Sequence, residues 1–439
     1  MELKRRKRFI TLAVALVVVG AGLTATAISA KPTKRSAGSI EVFSLWGGSE
    51  KDAFTKVTEA FTKKSGIDVK YTSARDFIPA IRTRLAAGDP PDIAIVPRPG
   101  NLATLAREGV LKQLTGLGFT SAYIKQNYGA AWISLGTVGG KLYGLPAKAN
   151  SKSVIWYKPP SFAKYHFKTP KTWAQLIKIT KAYKAKGLTP WALGCGPGPS
   201  SWTLTDWFEN IYARTAGPAK YQALFTGKLK FTDSSVVNAL KIMTSVLNNT
   251  YVAGGIQGAL GLSYTDGMAK VFGKSGTTAQ MYMEGGFMGG IALGQINPSL
   301  KPGKTIDDFP WPSIVPKYGS PLIGGGDLAT AFKDSPDIRT FLKYISSPAA
   351  GTIWVSTGAI VSPNKRVPAK AYPNLLVRKE AHQVATAKVF RFDGSDQLPG
   401  AFGDTWGSAL QNVIQKPTTS NIKKILSTFQ DQIAGKFGS

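Results

Sequence analysis

The stretch Ile40 to Lys51, IEVFSLWGGSEK, begins like a buried strand and ends on an indole beside two residues that have no side chain. Taken alone it reads as a strand–turn–helix joint with a core tryptophan. The chain then repeats the pattern. SEKDAFTKVTEAFTKKSG puts Phe54, Val57 and Phe61 on one helical face. Ser49 is expected to cap that helix with Asp52 three residues on, and Gly66 to stop it. IDVKYTS reads as a second strand, and DFIPAIRTRLAAG as a second helix with Pro79 in its first turn. PDIAIVP and NLATLAREGVLKQL give a third pair. Strand–helix alternation predicts an α/β fold with a parallel sheet and helical crossovers. Ligands of such sheets sit outside the carboxyl ends of the strands. Here those ends carry Trp46-Gly47-Gly48, Arg75-Asp76 and Arg98-Pro99-Gly100, so a ring, a carboxylate and a guanidinium should meet at one crevice edge. The glycines would keep the first turn tight and admit a ligand to the backbone.

The chain has 439 residues, more than one ordinary core holds. A second unit starts after KLYGLPAKANSKSVIWYK. Pro170 and Thr172 open the helix WAQLIKITKAYKAKG, and Gly187 closes it. The loop LGCGPGPSS leads into WTLTDWFENIYART, and the last helix lines up Ile422, Ile425, Leu426, Phe429 and Ile433.

Residues 1–30 read as an export signal: five cations from Lys4 to Arg8, an apolar run, then small residues. Cleavage is expected after Ala27 or Ala30. An uncleaved membrane anchor is the alternative, because the stretch between Arg8 and Lys31 has 22 residues and about 20 span a bilayer. Export places the protein outside the cytoplasmic membrane, extracellular or associated with the cell envelope. Cys195 is the only cysteine, which excludes an intramolecular disulfide and a CxxC site; it reads as structural. The net charge of +30 falls to +26 without residues 1–30, 50 basic against 24 acidic side chains. The lysines are scattered singly, so the charge reads as retention near anionic envelope polymers rather than nucleic-acid binding.

GMAKVFGKSG imitates a phosphate loop, but five residues separate Gly267 from Gly273 where that pattern needs four. Asp206, Glu209, Glu284 and Asp327 could in principle pair as a glycosidase acid and base. The tryptophans are more telling. Trp46, Trp156, Trp202, Trp207 and Trp406 lie at expected element ends beside Gly, Ser, Thr or Asp, whereas Trp173 and Trp354 read as core. Sugars present C–H faces to aromatic rings and hydroxyls to carboxylates, amides and guanidinium groups.

Eight stretches, in this order, resemble one family: LWGGSEKDAFTKVTEAFTKKSGIDVKY, ARDFIPAIRTRLAAGDPPDIAIVPRPG, LYGLPAKANSKSVIWYK, PKTWAQL, LTDWFENIYARTAGP, FGKSGTTAQMYMEGGF, GGGDLATAFKDSPDIRTFLKYISSPAAGTIWVSTGAIVSPNK and FGDTWGSALQNVI. The chain resembles the extracellular solute-binding proteins of bacterial carbohydrate ABC importers, the maltose-binding-protein-like family, in its α-glucoside-binding branch. The resemblance implies a two-lobe periplasmic-binding-protein fold with a ligand cleft between the lobes. Residues 40–147 and 318–361 would form the first lobe, and 148–317 and 365–439 the second. It implies hinge closure on an α-glucoside or short oligosaccharide and delivery to permease subunits, by a monomer without cofactor, metal or catalytic residue. Trp406, Phe287 and Trp202 match aromatic positions that stack on sugar, with Phe287 where tryptophan is common. Glu50, Arg98 and Asp327 match or adjoin positions that bind hydroxyls; Asp76, Asn150, Trp156 and Asp206 transfer less directly, and Trp46 joins from the strand-end reading. The lipid-anchor cysteine usual in Gram-positive members is missing. A secreted carbohydrate-active enzyme and a basic cell-wall-binding structural protein are the competing readings.

Overall fold

The computed structural model describes residues 38–437 apart from residue 197, so the export signal expected at 1–30 lies outside the described residues. The strands of three or more residues are β1 (Ser39–Ser44), β2 (Asp68–Ser73), β3 (Ile93–Val96), β4 (Leu145–Ser151), β5 (Val154–Tyr157), β6 (Thr189–Ala192), β7 (Ala279–Met283), β8 (Asp307–Pro310), β9 (Leu322–Ala331) and β10 (Phe390–Phe392). The first sheet runs β10-β9-β3-β1-β2, with β4 paired along the other edge of β9. β1 is parallel to both β2 and β3, as the alternation predicts, while β9 runs antiparallel to β3 and β4. The second sheet runs β8-β5-β7-β6.

Helices α1 (Gly48–Ser65), α2 (Phe77–Ala86) and α3 (Pro99–Arg107) follow β1, β2 and β3. Gly66 ends α1 in the left-handed region, and Pro79 sits in the first turn of α2. Ser49 does not cap α1. Gly47 is the cap residue, and Ser49 Oγ instead accepts a hydrogen bond from Gln295 Nε2 at 2.8 Å. Gly48 has φ of +51°, and a Cβ there would lie 2.6 Å from the Gln295 amide. Thr172 caps its helix as expected, in a reciprocal box with Gln175. The false phosphate loop lies largely within a helix, Tyr264–Phe272, opened by a second such box at Ser263 and Asp266.

Apolar clusters back both faces of each sheet, and one on each sheet is the larger. Val42, Phe54, Phe61, Ile95, Phe341 and Trp354 pack in the larger cluster of the first sheet. Trp191, Trp207, Phe208, Trp311, Trp406 and Phe429 pack in that of the second, with Cys195 among them. Burial pushes the Cys195 thiol up to about 12, which keeps it unreactive, in line with the structural reading. β4 and β9 are buried along their whole lengths. On their paired edges Lys148 stands opposite Asp327, and Asn150 opposite Gly325. Charged and amide side chains inside fully buried strands are rare and need partners.

Candidate functional site

A cleft of about 500 Å³ opens at the ends of β1, β2 and β3. Trp46, Arg75, Asp76 and Arg98 reach it from those strand ends, and Glu50 from the first turn of α1. Lys148, Asn150 and Asp327 come from the β4–β9 pair, Trp202 from the start of the helix Trp202–Thr215, and Tyr264 and Phe287 from the opposite wall. Gly100 lets α3 approach that wall, since a Cβ there would lie 2.2 Å from the Leu398 carbonyl. The Trp202 ring lies 5.3 Å from Tyr264 and 6.0 Å from Phe287, forming an apolar corner. Trp46 is only 2% exposed; it packs edge-on against Phe54 and Trp354, and its Nε1 donates to Asp327 at 3.1 Å.

Ion pairs tie this wall together. Lys148 binds Glu50 at 2.5 Å and lies 5.5 Å from the ring centres of both Trp46 and Phe287. Arg98 pairs with Asp396 at 3.1 Å and with Asp404 at 2.9 Å. Arg75 donates to the Tyr264 hydroxyl at 2.8 Å. Lys152 lies 5.4 Å from the Trp202 ring centre and holds Asp206 at 3.2 Å, Asp396 at 3.5 Å and, closer still, Asp393. Burial opposes the Lys152 charge, but these three carboxylates outweigh it and hold the ammonium well above its ordinary range. Burial also acts on Asp393, yet Lys152 wins there and keeps that carboxyl at about 2. Burial dominates for Asp396, raised to about 6, for Asp327, raised to about 7, and for Glu284, raised to about 8. Two buried amide atoms in the lining, Asn101 Nδ2 and Asn150 Oδ1, have no protein partner. A donor and an acceptor, both desolvated, are therefore left for a ligand.

Residues 47–352 match the family described as bacterial extracellular solute-binding protein. The chain belongs to that family. This solute-binding protein is 32% identical over 366 residues to the osmoprotective compounds-binding protein GgtB of Synechocystis sp., covering 83% of this chain and 85% of that one. It is also 32% identical over 381 residues to the alpha-glucosides-binding periplasmic protein AglE of Rhizobium meliloti, covering 83% and 80%. Among solved structures, the bacterial solute receptor AcbH superposes with a TM-score of 0.80 at 19% identity, over 92% of this chain and all of that one. Maltose-bound MalE3 of T. maritima gives 0.72 at 16%, over 90% and 99%. These likenesses establish the two-lobe periplasmic-binding-protein fold.

Of the eleven residues singled out in the sequence, eight line the cleft of this solute-binding protein: Trp46, Glu50, Asp76, Arg98, Asn150, Trp202, Phe287 and Asp327. Three do not. Trp406 is fully buried, packed about 5 Å from Phe208, Phe231 and Phe429. Helical geometry explains it. Within Phe402–Gln415, Trp406 shares a face with Leu410 and Val413, while Asp404 and Ser408, two residues to either side, point the other way and reach the cleft. Trp156 is 1% exposed inside β5, where its Nε1 donates to the Glu284 carbonyl. Asp206 is fully buried beneath the cleft as a partner of Lys152. Trp207, also suspected, is core. Lys148, Lys152, Asn101, Tyr264, Asp396 and Asp404 were not singled out, although all six line the site. The two lysines carried a signal, since LPAKANSKS places both in an otherwise small and apolar segment.

Proposed function

We propose that this solute-binding protein is the exported receptor of an ABC importer and that it binds an α-glucoside or short oligosaccharide between its lobes. The carrying observation is the cleft itself: the Trp202–Tyr264–Phe287 corner facing a wall of ion-paired polar groups, with the free Asn101 donor and Asn150 acceptor between them. Rings take the C–H face of a sugar, and the polar wall takes its hydroxyls. The volume lies within the usual range for small-molecule sites. The relatives named for α-glucosides and for osmoprotective compounds support a polyhydroxylated ligand. The carboxylates Glu50, Asp396 and Asp404 are each held by a cation, which suits fixed hydrogen-bonding geometry better than proton transfer.

In this reading the first lobe takes residues 40–147 and 318–361, the second takes 148–317 and 365–439, and the monomer closes by bending where the chain crosses between them, within β4, just before β9 and at residues 361–365. The decisive experiment is calorimetry with maltose, trehalose and longer glucans, followed by analysis of the recovered sugar. One sugar bound per chain and returned unchanged is the expected result. Released glucose would establish a carbohydrate-active enzyme instead, and no response to any sugar, with salt-sensitive binding to anionic polymers, a wall-binding protein.

A further inference from the structure

A second cavity, of about 490 Å³, shares no lining residue with the cleft. Trp311, Lys317 and Tyr318 line it from the segment that leads into β9. Gln383 and Lys388 line it from the chain that leads into β10, and Arg214 from the last turn of the helix Trp202–Thr215. Arg214 is 1% exposed. Its Nη1 donates to the backbone and side-chain oxygens of Asn210, both at 3.0 Å, and its Nε has no acceptor. The guanidinium carbon lies 6.0 Å from the centre of the Trp311 ring, whose own Nε1 also lacks an acceptor.

The charge here is one-sided. Arg214, Lys317 and Lys388 are the ionisable lining groups apart from Tyr318, and the lining has no Asp or Glu. Among the described residues none of the three cations is in an ion pair. This contrasts with Arg98, Lys148 and Lys152, each matched by carboxylates. Burial alone acts on Arg214 and pushes it down to about 9, so it stays charged at neutral pH. A desolvated guanidinium without a counter-charge is costly to keep. Water entering the cavity would satisfy its N–H groups but bring no negative charge.

We propose that this cavity is a second binding site, for an anion whose carboxylate or phosphate group sits against Arg214 with Lys317 and Lys388 on the exposed rim. A guanidinium edge is suited to both groups, because their paired oxygens match its N–H fork. The volume leaves room for an organic body beyond the charged head. The site stands apart from the cleft and does not depend on the sugar reading.

The test is calorimetry of the exported chain with sodium phosphate, glycerol 3-phosphate and citrate, at constant ionic strength so that general screening of a basic protein cancels. At least one of the three should bind saturably, one per chain. Response to both phosphates means that phosphate itself is read, response to glycerol 3-phosphate alone that the ester body is read, and response to citrate alone that a carboxylate is preferred. Arg214→Gln should weaken that binding at least tenfold and leave sugar binding unchanged. Because Arg214 is buried, a second variant guards against misfolding: Lys317→Glu with Lys388→Glu, both on the surface, should also weaken the anion at least tenfold. Saturable binding by none of the three anions overturns the proposal, as does equal binding by wild type and the charge-reversed variant.

Discussion

Trp46 and Trp406 are both all but invisible to solvent, at 2% and 0% exposure, and both sit within a few residues of a carboxylate in the sequence. They differ in what the indole N–H meets. Trp46 donates to Asp327 on the cleft wall, while Trp406 Nε1 ends unpartnered among Phe208, Phe231 and Phe429. Exposure therefore does not separate these two rings; what does is the partner of the indole N–H, a cleft-wall carboxylate for Trp46 and none for Trp406. The same contrast holds for the lysines under the cleft and Arg214 behind it. All are buried, and only the lysines have carboxylates.

The largest effects fall on the buried side of that contrast. Trp406→Ala should cost about 3–5 kcal/mol of stability in urea unfolding, with sugar affinity of the folded protein within about twofold of wild type. Lost affinity at unchanged stability would place Trp406 in the cleft after all. Lys152→Met should cost about as much, roughly 3–5 kcal/mol, because it strands Asp206 and Asp393 without their cation and leaves Asp396 only Arg98. Adding Asp393→Asn should recover part of that loss.

The Trp46 side is sharpened by pH. The Asp327 carboxyl lies near 3.8 when unfolded and is raised to about 7 in the fold, chiefly by burial. Between those values the native state holds the proton that the unfolded chain has released, so this group's contribution to stability falls as pH rises from about 4 to about 7. Asp327→Asn should flatten that decline by on the order of 4 kcal/mol; an unchanged slope in urea titrations across that window would show that Asp327 titrates normally. Trp202→Ala should lower sugar affinity by about 1–2 kcal/mol, roughly five- to thirtyfold, with a smaller loss of stability, because Trp202 is only half-buried. The smallest effect belongs to the exposed pair Arg82–Glu108. Removing either charge should change stability by less than about 0.5 kcal/mol and leave binding alone.

The sequence by itself determined the alternating β1-α1-β2-α2-β3-α3 start, because apolar spacing and glycine stops are local. It also determined that the three strand ends would share one crevice, since parallel strands point their carboxyl ends the same way. Trp46, Asp76 and Arg98 were legible for that reason. Only the tertiary structure decided Trp156, Asp206 and Trp406. Each stands at an element end in the sequence, yet a helix or strand has two faces, and which face meets the cleft depends on what packs against the other. The helix Phe402–Gln415 turns Trp406 to the aromatic core and gives Asp404 and Ser408 to the site. Lys148 and Lys152 are the reverse case: their small, apolar neighbours in the sequence hint at burial, but the carboxylates that neutralise them arrive from far along the chain. That pairing is a long-range Coulombic fact, and no local pattern encodes it.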